Sequence, residues 1–338
     1  MGSTWARMAQ QQARWIMRRA VSEGKQALRR STRAAAATAR KARVAVASER
    51  LAIGLATGPA GLRRYRLFKP AGLPKGQLHP LLVLLHGCGQ SATDFAASTR
   101  MNRLATLNGF MVLYPEQDRL ANAQGCWNWF DTRSGRAQHE AASIVAALDH
   151  ACGLHAIDPT RVAIAGMSAG ASMAALVGLH FPQRFAAVVM HSGVEPTLAN
   201  SPATALAAMR GRYRVPPPSP ANGAPQVLPA LLVIQGSVDP IVFRANGMRA
   251  AQVWAARTGA LPKAARVVRR GKRYPLTAMD WFANNCLQVS LNEINGLGHA
   301  WSGGAASQAF SDPKGPDASR MAWAFALRQF EHRVNQRV

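Results

Sequence analysis

One serine of the sequence stands in a setting that suits nucleophilic attack. The segment 166–170 reads GMSAG, a G-x-S-x-G pattern with Ser168 at its centre. It follows the apolar run 161–165 and opens an Ala-rich stretch, so a sharp turn between a strand and a helix would hold the hydroxyl out above a sheet. The pattern predicts that Ser168 is a nucleophile and that the Ala169 amide behind it stabilises a developing anion.

A serine hydroxyl needs a base and an orienting acid to become a good nucleophile at neutral pH. Asp239 follows the apolar run 228–235, and His299 follows the run 287–294 within a glycine-rich segment. Their order after Ser168, the acid first and then the histidine, is the order of the α/β-hydrolase fold. We therefore predict that Asp239 is the acid and His299 the base.

Other side chains compete for both roles. Asp280, Asp312 and Asp317 are alternative acids, although none of them directly follows a clear strand. Two further histidines, His86 and His191, also follow predicted strands. Order, loop position and flanking residues together favour the Asp239 and His299 assignment.

A second anion-binding amide is expected where the run 81–85 (LLVLL) ends. The next residues, 86–90, read HGCGQ, and their glycines let the backbone turn its N–H groups inward. We assign the backbone amide of Cys88 as the partner of the Ala169 amide in an oxyanion hole. A donor of this kind contributes ~3 kcal/mol in the transition state.

The elements that must position these residues alternate along the chain. Short apolar runs between breakers predict strands, and helical spacing predicts helices. Strands are predicted at 63–69, 81–85, 109–114, 161–165, 185–190, 228–235 and 287–294, and helices at 140–152, after Ser168 through Leu179, at 245–257 and at 319–332. This alternation predicts a mostly parallel sheet covered by helices on both faces. The proline-rich segment 214–230 is expected to be a surface loop, with a lid as the alternative.

Five short motifs occur together in one order: HGCGQ at 86–90, CWNWF at 126–130, GMSAG at 166–170, HSGV at 191–194 and GHAWSGG at 298–304. The set resembles the catalytic domain of the poly(3-hydroxybutyrate) depolymerase family, α/β-hydrolase esterases related to feruloyl and acetylxylan esterases. The resemblance covers roughly residues 62–335. It implies Ser168, Asp239 and His299 as a catalytic triad and the Cys88 amide in the oxyanion hole.

The resemblance also bears on the tryptophans of its motifs, on Glu140 and on the cysteines. Trp127 and Trp301 lie in its motifs, and we predict them as substrate-binding residues, with the protein core as an equal alternative; Trp129 is assigned to the core. A structural role is expected for Glu140, because the family often has a Gly-Glu pair where this chain has His139-Glu140.

No secretory signal is recognisable, which indicates a cytoplasmic protein whose four cysteines are thiols; a Cys88–Cys126 bridge is the alternative.

Positive charge is concentrated in particular segments of the chain. There are 41 Lys and Arg against 16 Asp and Glu, a formal net charge of +25. Residues 1–50 hold twelve basic and two acidic side chains, and residues 257–273 hold seven basic side chains and no acid. We read residues 1–55 as a basic, Ala/Arg-rich extension ahead of an α/β-hydrolase domain at 62–335. The extension is expected to dock on a polyester granule, with nucleic-acid binding or simple solubility as alternatives.

Length and composition limit what the protein could be. With 338 residues and 48% hydrophobic residues, the chain can bury a large core, which excludes wholesale disorder. No apolar run approaches the ~18 residues that span a bilayer. Neither metal-ligand spacing nor a phosphate-binding glycine loop is present, so no metal and no cofactor is expected.

The sequence therefore predicts a serine esterase that cleaves 3-hydroxybutyrate polyester or its oligomers. Within the same class, a carbohydrate esterase acting on feruloyl or acetyl groups is the alternative. From another class, the alternative is a granule- or nucleic-acid-binding protein whose hydrolase fold is secondary. The predicted Ser168, Asp239 and His299 argue against the latter, since a binding module does not need them.

Overall fold

The computed structural model describes residues 51–213 and 225–335. Predictions made for residues 1–50 and for 214–224 of the proline-rich segment lie outside the described residues. The predicted strands and helices fall within them.

Continuous apolar runs become the central strands of one large sheet. Residues Leu81 to Leu85 have no solvent exposure at all, as expected for a strand covered on both faces. The strands are β1 (Ala52–Gly58), β2 (Gly61–Phe68), β3 (His79–Leu85), β4 (Met111–Pro115), β5 (Ile157–Met167), β6 (Ala187–His191), β7 (Ala230–Gly236), β8 (Leu261–Pro262), β9 (Arg266–Val268), β10 (Leu276–Ala283) and β11 (Cys286–Ile294).

The sheet order is β1-β2-β4-β3-β5-β6-β7-β11-β10-β8, and β9 also pairs with β10. The pairs from β4 to β11 are parallel, whereas β1, β2, β8, β9 and β10 pair antiparallel at the two edges. A short parallel pair, β12 (Trp301–Ser302) and β13 (Ser311–Asp312), lies outside this sheet. The carboxyl ends of β3, β5, β6, β7 and β11 therefore meet along one edge, where this kind of fold places its site.

Helices pack on both faces of the sheet, and the sheet separates the core into two clusters. They are α1 (Ala92–Thr99), α2 (Met101–Asn108), α3 (Arg136–Leu154), α4 (Ala169–His180), α5 (Pro202–Met209), α6 (Ala245–Thr258) and α7 (Ala318–Asn335). Thus the predicted mostly parallel sheet with two helical layers is confirmed.

The boundary expected between the extension and the catalytic domain needs a correction. Strand β1 pairs along its whole length with β2, from Ala52 opposite Leu67 to Gly58 opposite Gly61. Residues 52–55 therefore belong to the sheet and not to a separate extension. The sequence hides this strand because it lies at an edge and several of its side chains are exposed, so it lacks a clear apolar period.

None of the helices at 51–213 and 225–335 is long and apolar enough to cross a membrane.

Candidate active site

Ser168 occupies a strained turn between β5 and α4. Its φ is +56° and its ψ is −122°, a backbone conformation that side chains other than glycine rarely adopt. Its amide donates a hydrogen bond of 2.9 Å to the carbonyl of His191, which ties the turn to the end of β6. The serine side chain is half-buried at the carboxyl edge of the sheet, as predicted.

The two glycines of the GMSAG turn are needed for close backbone approach. A Cβ added at Gly166 would lie 2.2 Å from the carbonyl oxygen of Gly170. One added at Gly170 would lie 2.4 Å from the carbonyl oxygen of Leu85, at the end of β3. Both distances are far inside van der Waals contact, so only glycine lets the turn pack against its own helix and the neighbouring strand.

Asp239 and His299 form a hydrogen-bonded pair after β7 and β11. The His299 Nδ1 lies 2.8 Å from Asp239 Oδ2, and the two side chains are 7% and 0% exposed. A carboxylate can only accept, so Nδ1 carries the proton and donates it. In neutral His299, Nε2 is then the unprotonated nitrogen, which is the one able to act as a base.

Backbone amides fix the other oxygen of Asp239. Ile241 and Val242 each donate to Oδ1 over 2.9 Å. Burial by itself would raise the pKa of Asp239, but the hydrogen bond and charge of His299 outweigh it and, with the two amides, hold that pKa below its ordinary value. Asp239 is therefore ionised at neutral pH and presents a fixed negative charge to the imidazole.

His191 connects the turn of Ser168 to the segment that carries His299. Its carbonyl accepts from Ser168, its Nε2 accepts from the amide of Ser302 over 3.2 Å, and its ring stacks on Trp301 with centroids 5.0 Å apart. Burial, followed by the charge of His299, lowers the pKa of His191 to about 3. His191 thus joins the backbone of the Ser168 turn to the segment that follows His299.

No hydrogen bond joins Ser168 to His299 within the part of the chain described here. Such bonds are often long without substrate and shorten when it binds.

The HGCGQ segment lies directly beside the nucleophile. A Cβ added at Gly87 would lie 3.7 Å from the Cβ of Ser168. Among residues 51–213 and 225–335, no hydrogen bond uses the amides of Cys88 or Ala169, so both remain available to an anion. The side chain of Gln90 accepts from the Gly87 amide over 3.1 Å and shapes this turn.

A disulfide joins Cys88 to Cys126, whose Cα atoms are 4.3 Å apart. The expectation that all four cysteines are thiols is therefore wrong for this pair and holds for Cys152 and Cys286. The amide of Gly89 also donates to the carbonyl of Gln124 over 3.0 Å. The turn that carries the Cys88 amide is thus fastened to the CWNWF segment by one covalent bond and one hydrogen bond.

A buried polar network supports the CWNWF segment. Glu140 is 1% exposed and accepts from the side chain of Gln117 (2.8 Å), and from the amide and the side chain of Asn128 (2.9 and 2.6 Å). Arg63, buried on β2, donates to Gln117 over 2.6 Å. Glu140 therefore has the structural role that we expected. Neither Arg63 nor Gln117 could be identified from the sequence, because their partners are distant along the chain and polar residues in or next to a strand usually suggest a surface position.

The two tryptophans predicted to bind substrate are fully buried, and this prediction is corrected. Trp127 and Trp301 have 0% exposure. The indole of Trp127 donates to the carbonyl of His86 over 3.0 Å, and the indole of Trp301 donates to Ser319 over 3.1 Å. Each ring therefore packs behind the site and supports the chain around it. Trp129 is also in the core, as expected.

The competing acids are engaged elsewhere. Asp280 accepts from Arg266 and from Ser290, both over 2.6 Å, on the antiparallel edge of the sheet. Asp317 pairs with Arg320 at the start of α7. Asp312 caps a turn by accepting from the amide of Lys314.

Within residues 51–213 and 225–335, no three or more His, Cys, Asp or Glu side chains are grouped closely enough to hold a metal ion. The site brings together a serine, a hydrogen-bonded acid and base, and two amides without a hydrogen-bond partner among the described residues. This arrangement can add an oxygen nucleophile to an ester carbonyl and stabilise the oxyanion that results.

Comparison with known proteins also points to ester hydrolysis. The family described as "Esterase PHB depolymerase" matches residues 63–253. A poly(3-hydroxyalkanoate) depolymerase C of Paucimonas lemoignei is 36% identical over 154 residues, which are 45% of this chain and 36% of that protein. A feruloyl esterase B of Thermothelomyces thermophilus is 32% identical over 117 residues, which are 34% of this chain and 39% of that protein. The chain thus spans less than half the length of these curated relatives.

Among solved structures, an acetyl xylan esterase from Aspergillus awamori superposes with a TM-score of 0.59 at 19% identity, covering 73% of this chain and 94% of that one. At this identity the likeness establishes the fold, which is that of an α/β-hydrolase.

Proposed function

This chain belongs to the Esterase PHB depolymerase family, and on that premise we propose that it is a serine esterase that hydrolyses poly(3-hydroxybutyrate) or its oligomers. The observation that carries the proposal is the Asp239–His299 pair, 2.8 Å apart, whose segment is joined to the strained Ser168 turn through His191. Structural histidines are common, but one that donates to a buried carboxylate beside a nucleophile turn is typical of this chemistry.

In the proposed mechanism, Ser168 Oγ attacks the ester carbonyl carbon while its proton moves to His299 Nε2. Asp239 holds the ring through Nδ1 and stabilises the imidazolium that forms. The amides of Cys88 and Ala169 donate to the oxyanion. The imidazolium then protonates the leaving alcohol, which departs and leaves an acyl group on Ser168. His299 next takes a proton from water, whose oxygen attacks the acyl carbonyl carbon. The bond from that carbon to Ser168 Oγ then breaks, the acid leaves, and the imidazolium returns the proton to Oγ.

Exposed apolar side chains around the acid and base support an apolar ester as substrate. Val238, Ile241 and Phe243 surround Asp239 in sequence and are 60%, 41% and 44% exposed. The ring of Phe310 stands edge-on to His299, with centroids 6.4 Å apart. These residues, rather than Trp127 or Trp301, are the proposed contacts of the polyester chain.

A carbohydrate esterase is the second candidate, and it is favoured by the feruloyl and acetylxylan esterases among the similar proteins. A substrate panel separates the two: amorphous poly(3-hydroxybutyrate), its dimer, p-nitrophenyl butyrate and methyl ferulate. The proposal expects hydrolysis of the polymer or the dimer. Turnover of methyl ferulate alone would replace it with the second candidate.

The matched controls for the panel are Ser168→Ala and His299→Ala. Both are expected to lose nearly all turnover, because members of such a triad act as a unit. Hydrolysis that survives in purified, folded Ser168→Ala protein would refute the mechanism for every substrate in the panel.

The basic residues ahead of β1 are proposed to hold the enzyme on a polyester granule. A cut before Leu51 leaves β1 intact, so the truncated protein keeps the whole sheet. Truncation should reduce co-sedimentation with granules and leave hydrolysis of a soluble ester unchanged. DNA binding is the rival; its affinity should fall steeply with salt, whereas an apolar contribution from the extension's Trp and Met side chains should persist. If truncation changes binding to neither granules nor DNA, the segment serves solubility alone.

A cytoplasmic, granule-associated location stays a prediction. The Cys88–Cys126 bridge argues against it, because disulfides persist mainly in oxidising compartments. Thiol labelling of the protein taken directly from cells, with and without prior reduction, decides between the two. An unreactive Cys88–Cys126 pair before reduction would contradict a reducing compartment.

A further inference from the structure

A groove of about 710 Å³ lies apart from the predicted catalytic residues. It is bounded by α2, α7 and the antiparallel strands β9 to β11, and neither Ser168, Asp239 nor His299 lines it. Its volume falls within the roughly 300–1,000 Å³ of typical small-molecule sites. The esterase chemistry gives this groove no role.

The groove carries a large excess of positive charge. Seven arginines and two aspartates line it, and no lysine or glutamate does. Each aspartate already has a partner, Arg266 on Asp280 at 2.6 Å and Arg320 on Asp317 at 3.5 Å. Five arginine charges therefore have no acid in the groove to balance them.

Two of these five arginines are held in place by neutral groups. Arg100 donates to the carbonyl of Gly303, and Arg273 donates to the carbonyls of Pro313 and Gly315. A carbonyl oxygen orients a guanidinium without cancelling its charge. Both arginines thus remain cationic, with part of the conformational cost of binding an anion already met.

The other three are Arg103 on α2, Arg270 between β9 and β10, and Arg328 on α7. In the described ranges their guanidinium groups make no hydrogen bond and no ion pair, and all three residues are exposed. They approach the groove from three different elements, so a ligand that they bind together must carry several negative charges. An anion bound among these charges would relieve their mutual repulsion.

Part of the groove lining is apolar. Leu276, Ala278 and Phe325 belong to it and are almost fully buried. A planar guanidinium matches the oxygens of a phosphate with two parallel hydrogen bonds.

We propose that this groove binds a ligand that carries a chain of linked phosphates. Linked phosphates concentrate several negative charges in a short length, as the spread of Arg103, Arg270 and Arg328 requires. Free tripolyphosphate and the phosphate chain of a nucleoside triphosphate both present this chemistry. The proposal is independent of the esterase function, since the groove contains no residue of that site.

The test is isothermal titration of the full-length protein with tripolyphosphate and, separately, with ATP at about 0.15 M salt. The groove variant is R103Q/R270Q/R328Q. The control variant is R119Q/R133Q/R136Q, which removes the same charge from three exposed arginines that do not line the groove. We expect saturable binding, at least about tenfold weaker in the groove variant and less than about twofold weaker in the control.

Comparison of the two affinities shows which part of the ligand is bound. Equal affinity for tripolyphosphate and ATP indicates that the phosphates alone are bound. Tighter binding of ATP indicates that the base contacts the apolar part of the lining. If the triple variant melts at a lower temperature than the control, the three single substitutions replace it, and each should weaken binding.

Three results would overturn the proposal. They are no heat of binding with either ligand, equal weakening in the groove and control variants, and binding of duplex DNA or anionic vesicles with neither phosphate ligand bound. Equal weakening would assign the effect to diffuse charge, and undiminished binding in both variants would assign it to the basic residues 1–50, which both retain.

Discussion

The two halves of the candidate active site are held together by different forces. On the nucleophile side, backbone packs on backbone at the Ser168 turn, and a disulfide joins Cys88 to Cys126. On the acid–base side, Asp239 and His299 are fixed by three short hydrogen bonds and by burial. Steric fit governs the first half, and electrostatics governs the second.

This difference predicts two kinds of failure. A change of charge at nearly constant shape should harm the acid–base side while the protein stays folded. An added atom on the nucleophile side should harm folding and activity together, because backbone cannot move aside cheaply.

The largest effect is expected from a change of charge alone. Asp239→Asn keeps the shape of the side chain but removes the acceptor that fixes the His299 tautomer, so kcat should fall by about ten-thousand-fold. The melting temperature should change little by comparison. Steady-state kinetics on p-nitrophenyl butyrate measures the first effect, and thermal unfolding measures the second.

Asp280→Asn and Asp312→Asn are the matched controls for Asp239→Asn. Asp280 pairs with a largely exposed arginine, and Asp312 caps a surface turn. Both variants should keep most of their activity. An inactive Asp312→Asn enzyme together with an active Asp239→Asn enzyme would show that the acid has been assigned wrongly.

On the nucleophile side, one added methyl group should be enough to break the site. Gly170→Ala places a Cβ 2.4 Å from the carbonyl oxygen of Leu85, so the turn or β3 must shift. We expect a loss of about 1–3 kcal/mol in the free energy of unfolding and a large fall in kcat. Urea unfolding and steady-state kinetics check the two effects.

Gly153→Ala is the matched control, because a Cβ there meets no atom within 4 Å and the residue lies in α3. It should be neutral or stabilising. Equal stability of the Gly170→Ala and Gly153→Ala proteins would contradict the steric account.

Much of this architecture could be predicted from the sequence. Continuous apolar runs marked β3, β5 and β7, because strands covered on both faces must be apolar throughout. The pairing of Asp239 with His299 followed from their chain order and their positions after strands. Candidate catalytic residues that follow strands can therefore be predicted from the sequence where the strands are continuous apolar runs.

Other features could not be predicted for physical reasons. The edge strands β1 and β10 mix exposed and buried positions, so their apolar period is weak. Helix α1 is an exception: it was not predicted from apolar spacing, but its start is marked by the capping box that Ser91 and Asp94 form. Whether Trp127 and Trp301 face the cleft or the core depends on how loops pack, and residue type alone does not record that.

Removal of the disulfide should give an intermediate effect. Cys88→Ser/Cys126→Ser should cost about 2–4 kcal/mol of stability. It should also lower kcat more than it raises KM, since the Cys88 amide is proposed to stabilise the oxyanion of the transition state. The double variant Cys152→Ser/Cys286→Ser, at the two free thiols, is the control and should match the unsubstituted protein. Unchanged kcat after loss of the bridge would show that the turn is positioned without it.

The smallest effect expected near neutral pH is a pH dependence of stability caused by His191. The pKa of this histidine is about 3 in the folded protein, below its ordinary value near 6.5. The unfolded chain therefore binds a proton that the folded protein excludes. Its contribution is complete above about pH 6.5 and is lost as pH falls toward 3, by up to about 1.4 kcal/mol per pH unit.

Urea unfolding at pH 7, 6 and 5 measures this slope. His191→Gln should unfold with a flatter slope, and His139→Gln, at an exposed histidine, should keep the original slope. Parallel slopes for the two variants would show that His191 does not carry the effect.

Covalent trapping of the nucleophile tests the central claim most directly. The protein would be treated with an organophosphonate that reacts with activated serines, and the adduct located by peptide mass mapping. The account predicts one adduct per chain, on Ser168, absent from Ser168→Ala and formed much more slowly in His299→Ala. An adduct on another serine, such as the neighbouring Ser172 or Ser192, or no adduct on an enzyme that still hydrolyses esters, would contradict it.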